Sequence, residues 1–349
     1  MKTTLVPFVT LLALAVTAPG LAVGADDIPR TASGRPDLSG TYDIASLTPF
    51  QRDPRFGDRL FFTEEEAEGI AAQMANFRDA LNRDSDPDRE APPAGGDGSG
   101  GPSGAVGGYN FFWIDNGTDT YKIDGKYRTS ILTDPPNGRL PELSEAGKAR
   151  RADDHPYSYP NPGRAWWLEK GEDPYDGPET LSLVDRCLYV VPASLPAQPV
   201  PYNNLKTIVQ TDDQIVINIE WMHWARVIRM DPDGGKPEHL PAEIVSYGGD
   251  SVGWWEGDTL VVDTTNFRRQ THSTGEARAR NERDGLHVVE RFSRLDADTL
   301  LYQFTVNDPD YVAPYSGELP WDATDAKLYE YACHEGNYAL GNILRGARL

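Results

Sequence analysis

The chain has 349 residues, with 33 Lys and Arg set against 54 Asp and Glu, a formal net charge of −21. A field of that sign repels phosphate backbones and anionic bilayers, which argues against nucleic-acid and membrane-surface partners. The length suits one large domain or two modest ones.

The first residues, MKTTLVPFVTLLALAVTAPGLAVGADD, combine Lys2, an apolar run from Leu5 to Val16 and small residues before Asp26. This pattern predicts a signal peptide over 1–25, with an apolar core too short to span a bilayer. No cysteine offers a lipid anchor there. The mature protein is therefore expected to be secreted, in the periplasm of a Gram-negative host. Residues 26–108 read as a loop-rich N-terminal extension. FTEEEAEGIAAQMANFRDALNR opens with Thr63 and Glu66 spaced as a capping box, which predicts one helix. The stretch at 84–108 is dense in Gly, Pro and Asp and reads as low-complexity insertion.

Residues 109–349 read as the main domain. Proline-punctuated loops fill 109–200, and a short helix is expected from Ser144. From Tyr202 onward, QTDDQIVINIEW, WEGDTLVVDTTNF and LDADTLLYQFTV each carry an acidic turn before an alternating apolar run. Asp213, Asp258 and Asp298 sit at the expected corners, where Asx side chains bond nearby backbone. HWARVIRM and HVVERFSRL fill the gaps. The fold class is mainly β: an antiparallel meander closing into a lipocalin-like barrel, with a β-sandwich as the alternative.

Such a barrel leaves room for one small ligand. If the strand runs unbroken, alternation puts Glu220, Met222, Trp224 and Arg226 on one face. Ile215, Ile217, Ile219, Trp221 and His223 then share the other, which predicts an interior imidazole. Glu220 and Arg226 also fit a solvent ion pair. In YGGDSVGWWEGDTLVVDT, Asp250 and Glu256 sit in turns and Trp254 and Trp255 offer apolar planes. Asp263 lies inside a strand and is expected either to pair with an arginine such as Arg291 or to carry a raised pKa. GGDSVGWWEG is not read as a nucleophile elbow, and neither a phosphate-binding loop nor a dinucleotide fingerprint occurs.

The two cysteines, Cys187 and Cys333, are expected to bridge in an oxidising compartment. The bridge would hold YEYACHEGNY rigid, with His334 and Glu335 pointing to opposite sides. His223, His239, His272, His287 and His334 supply nitrogen for a metal, but no local ligand pair marks one. No metal site or organic cofactor is expected, although a divalent ion is compatible with these residues.

The blocks GRPDLSG (34–40), YRTSILTDPPNGRLPELSEAG (127–147), PYNNLKTIVQTDDQIVINIEWMHWARVI (201–228), GGDSVGWWEGDTLVVDTTNF (248–267), HVVERFSR (287–294) and YEYACHEGNYALGNILRGAR (329–348) resemble a widespread family of secreted bacterial proteins of unassigned function. The resemblance covers nearly the whole mature chain and implies a shared architecture, with no activity to carry over. Relatives commonly read EMIHDAR where this chain has EWMHWAR. Glu220, His223 and Arg226 match, while Trp221 and Trp224 depart. Many read SRGRWEGDT, with arginine where Trp254 stands, which implies a less charged, aromatic or terpenoid-like ligand here.

The leading expectation is an exported enzyme acting on a small apolar or aromatic molecule by cofactor-independent acid/base catalysis, as a lyase, isomerase, hydratase or hydrolase. His223 and His334 would transfer protons. Glu220, Asp250 or Asp263 would partner them, and Arg226 would stabilise developing negative charge. Trp221, Trp224, Trp254, Trp255, Tyr302 and Asn337 would line the ligand. The alternatives are a periplasmic carrier for such a ligand and a glycan-active hydrolase.

Overall fold

The computed structural model describes residues 28–81, 114–153, 178, 183–184, 186–188, 195–268 and 285–347. The expected signal peptide, the stretch at 84–108 and His272 lie outside the described residues.

Early elements are β1 (Gly40–Asp43), α1 (Glu64–Leu81), the hairpin β2 (Lys122–Ile123) and β3 (Lys126–Tyr127), β4 (Leu132–Asp134) and α2 (Glu145–Asp153). Both predicted helices are present. At α1 the capping box forms reciprocally: Thr63 N–H donates to Glu66 Oε2 at 2.8 Å and Glu66 N–H to Thr63 Oγ1 at 3.2 Å. At α2, Gly147 N–H donates to Ser144 Oγ at 3.0 Å.

The strands that follow are β5 (Leu205–Gln210), β6 (Gln214–Ile219), β7 (Trp224–Met230), β8 (Asp250–Glu256), β9 (Thr259–Thr265), β10 (His287–Arg294), β11 (Thr299–Asn307) and β12 (Tyr315–Ala323). Together with β1 they close a nine-stranded barrel, in the order β1-β5-β6-β7-β8-β9-β10-β11-β12 and back to β1. β12 divides its second edge between two partners. β4 takes Ser316 and Gly317, and β1 takes Asp322 and Ala323.

Two features depart from the meander expected. β7 and β8 pair in parallel, Ile228 opposite Ser251 and Met230 opposite Gly253. A ring of strictly alternating strands needs an even number, so one parallel pair is what lets nine strands close. The parallel pair also forces the connection at 231–249 to run back along the wall. The second departure is β1, which falls in the supposed extension yet is the strand that closes the ring, pairing β5 through Gly40–Asp43.

The corner aspartates also differ in part from expectation. Between β10 and β11 it is Asp296 that accepts from the backbone N–H groups of Asp298 and Thr299. Asp213 instead accepts from the Thr211 hydroxyl at 2.6 Å, and Asp258 pairs with Arg30.

Large aromatic side chains meet in the described interior. Tyr302, Phe292 and Trp321 interlock, with ring centroids 5.0–5.4 Å apart. The segment 195–200 enters this core with Leu195, Ala197 and Val200 buried, and Ala197 N–H donates to Tyr302 Oη at 3.0 Å. Each such large apolar side chain contributes about 1.5–3 kcal/mol by leaving water.

The chain ends in α3 (Cys333–Gly336) and α4 (Tyr338–Ala347). The expected Cys187–Cys333 disulfide is present, with Cα atoms 5.7 Å apart. Among the described residues, no helix is long and apolar enough to cross a membrane.

Candidate functional site at the barrel mouth

β6 and β7 do not run as one strand. A 3-10 turn at Trp221–His223 separates them, with Met222 at φ 61° and His223 at φ 49°. Ile219 therefore pairs with Trp224, and the two strands fold back on each other. The turn overturns the alternation that placed His223 beside the isoleucines. His223 is exposed at the mouth, whereas Arg226 follows Trp224 onto the inward face with Ile215, Ile217 and Ile219.

An open cleft of about 460 Å³ lies at this mouth, lined by Asn218, Glu220, His223, Leu328, Tyr329 and Glu330. Glu220 is buried, and its carboxylate accepts from the Asn203 side chain and from the backbone N–H groups of Leu205 and Tyr329. Burial outweighs these hydrogen bonds and raises its pKa above the ordinary glutamate value. Tyr331 N–H donates to His223 Nε2 at 2.8 Å. In the neutral ring this assigns the proton to Nδ1, so His223 offers a donor rather than a free basic nitrogen. Tyr202 and Tyr331 flank Trp221, with centroids 4.8 and 6.3 Å from it.

Behind the cleft, β5 turns Lys206 inward. The residue is fully buried, and among the described residues Nζ makes one long 3.5 Å contact, to the Asn204 carbonyl. Burial lowers its pKa to about 7, against the opposing pull of Glu220 and Asp43. In LKTIVQ, Lys206 and Ile208 share one face of the alternation. That lysine on an apolar stripe was the signal available in the sequence, and reasoning centred on histidines passed over it.

The other expected site residues are placed elsewhere. His334 is exposed on α3 and does not line the cleft, so the two imidazoles do not converge inside the barrel. Asn337 donates to Cys187 Sγ at 3.4 Å and accepts from Leu340 N–H, fastening the start of α4. Trp224 packs over Gly248, where a Cβ would come within 2.1 Å of its ring. Trp255 packs against the core, and Trp254 lies on the outer wall beneath Lys236, 4.6 Å from the ring centroid.

Arg226 is a structural cation. It grips Glu290 with both terminal nitrogens, donates through Nε to Ser251 Oγ at 3.0 Å and reaches Thr264 Oγ1 at 2.9 Å. Tyr302 Oη donates to Glu290 Oε1 at 2.8 Å, and burial first, then Glu290, raises its pKa well above the ordinary tyrosine value. Ser251 is buried inside this network on β8, with none of the exposure a nucleophile elbow needs.

Asp250 and Asp263 point outward under the 231–249 connection. Asp250 accepts from Leu240 N–H, His239 Nδ1 and Arg229. Asp263 accepts from Lys236 and from His287 Nε2 at 2.6 Å, and His239 Nε2 stands 3.6 Å from it. Burial alone would raise both carboxyls, but the hydrogen bonds hold both below the usual aspartate value. Neither of the alternatives expected for Asp263 holds: Arg291 pairs instead with Glu256, and the shift is downward. No sequence signal joined His239 and His287 to these aspartates, because the parallel crossover that brings them together was not foreseen. Among the described residues, no group of three or more His, Cys, Asp or Glu is arranged to hold a metal.

The fold and site define a closed β-barrel with a polar cleft at one mouth. Comparison with protein-family models, curated proteins and solved structures found no match.

Proposed function

We propose that this protein is an exported enzyme that moves a proton on a small, largely apolar organic molecule held in the mouth cleft. One observation carries the reading: Glu220, its pKa raised by burial, and His223, its ring fixed by Tyr331, line the same 460 Å³ space. A carboxylate shifted toward the working pH is the better base for a weak carbon acid. In this reading the roles expected from sequence are exchanged. Glu220 accepts the proton, and His223 donates through Nδ1–H to the oxygen on which negative charge develops. The aromatic group of Trp221, Tyr202 and Tyr331 beside the turn supports an apolar or aromatic substrate. The N-terminal segment and the disulfide support export. Carriage of a ligand without chemistry is the alternative reading, and Glu220 and His223 on one cleft favour the enzyme.

The test is solvent-deuterium exchange. The protein is incubated in D2O with small aromatic and aliphatic aldehydes and ketones, and exchange at the carbon next to the carbonyl is followed by NMR. Exchange is expected to fall about 100-fold or more in Glu220→Gln and less in His223→Ala, in line with a positioned acid or base. Circular dichroism checks that both variants fold. Exchange with none of these compounds, or exchange untouched by Glu220→Gln, sinks the proposal.

A further inference from the structure

We propose that Lys206 is a nucleophilic amine that captures the carbonyl carbon of an aldehyde or ketone as an imine at the barrel mouth. This deepens the proposed function and rests on the cleft being its site.

The argument begins with placement. Lys206 lies opposite Ile219 in the β5–β6 register, next along the chain to the Leu205 amide that Glu220 binds. It is fully buried, yet among the described residues no carboxylate closes an ion pair on it. Full burial outweighs the pull of the nearby Glu220 and Asp43 carboxylates, neither of which forms an ion pair with it, and favours the neutral amine, which has the lone pair that attacks carbonyls. A lysine serving only as a buried cation would be expected to have the partner that Glu290 gives Arg226. Lys206 does not itself line the cleft; the lining residue Glu220 is near enough to act on its charge, Leu328, Tyr329 and Glu330 line the same cleft as Glu220, and Tyr329 is 74% exposed. Two fasteners hold that strip to the hairpin turn, Tyr329 N–H on Glu220 and Tyr331 N–H on His223. Movement of the strip admits a small carbonyl compound past Glu220 to the amine.

The chemistry balances without any co-reactant. Nζ attacks the carbonyl carbon, a C–N bond forms, and the carbonyl π pair moves to oxygen, which takes up a proton. The nitrogen loses a proton. The resulting hydroxyl then leaves as water, protonated by the Glu220 carboxylic acid, as the C=N bond closes. Glu220, now ionised, faces the hydrogen on the adjacent carbon, whose acidity the protonated imine raises. That is the proton the proposed function removes.

The experiment is reductive trapping on the full-length protein, with benzaldehyde as probe and sodium cyanoborohydride to fix the imine. Peptide mass mapping locates the label. The expected result is preferential benzylation of Lys206, about tenfold faster at pH 8 than at pH 6 and levelling above, as follows for an amine with pKa about 7. His223→Ala, which releases one fastener, should accelerate the labelling. Lys206→Met, folded by circular dichroism, should show only the slow background of exposed lysines such as Lys122 and Lys148. Label spread over exposed lysines and sparing Lys206, or a Lys206 rate still climbing steeply above pH 9, overturns the inference. Trapping needs no turnover, so the two proposals fail separately. Deuterium exchange that depends on Glu220, with Lys206 unlabelled, defeats the imine and leaves the proposed function standing. Lys206 labelling with exchange indifferent to Glu220→Gln does the reverse.

Discussion

Arg226 and Lys206 are both inward-facing basic residues of one barrel, and their partners set them apart. Arg226 is closed on both sides by Glu290 and by hydroxyls, and these contacts draw on the fixed fork of its guanidinium. Removing it strands a buried carboxylate. Arg226→Leu is therefore expected to destabilise the protein by about 3–5 kcal/mol in urea denaturation, whereas Glu290→Gln in the same background should recover part of that loss. A variant that keeps full stability and loses only catalysis would contradict this structural role. The closeness of Glu220, His223 and Arg226 was legible in the sequence. The direction of each side chain was not, because one positive-φ turn at Met222 and His223 redirects every side chain after it.

At the scale of elements, most of the strands were legible because period-2 alternation marks them. In β6, β10 and β11 the buried residues alternate as the apolar pattern requires. The β7–β8 pairing was not legible, since the 231–249 connection has neither periodicity nor a turn signature that distinguishes a parallel return from a hairpin. With the crossover unseen, His239 and His287 stayed unattached to Asp250 and Asp263. The crossover is pinned by those carboxylates, and this has a pH consequence. Both aspartates hold their protons less tightly when folded than when unfolded. Their stabilisation is therefore present above the ordinary aspartate value and lost as pH falls through the lowered folded value. Limited proteolysis within 231–249 should accelerate as pH is lowered below about 4. Asp263→Asn should show the faster cleavage already at pH 7, and cleavage indifferent to both changes would contradict the pinning.

For the whole molecule, the bridge between Cys187 and Cys333 joins positions 146 residues apart and ties the C-terminal helices to the body. In the chain-entropy view, a loop that long contributes about 5 kcal/mol, an upper figure because denatured chains retain structure. Cys187→Ser with Cys333→Ser should lower the melting temperature measurably. It should also raise amide exchange in α3 and α4 before that of β9–β11. Uniform exchange across both regions would show that the bridge does not act locally. The closed barrel itself was foreseeable, since a meander of this length leaves edges that must be covered. Its closing strand was hidden, because GTYD is four residues long and stands far from its partners in sequence.

That short strand has a consequence for the order of assembly. The ribosome makes β1 first, yet one partner arrives at residues 205–210 and the other only at 322–323. Between the synthesis of β5 and that of β12 the growing sheet therefore keeps two open borders, each available to any neighbouring chain. A truncated product ending before β12 cannot join those borders and should accumulate as aggregate rather than as a smaller soluble protein.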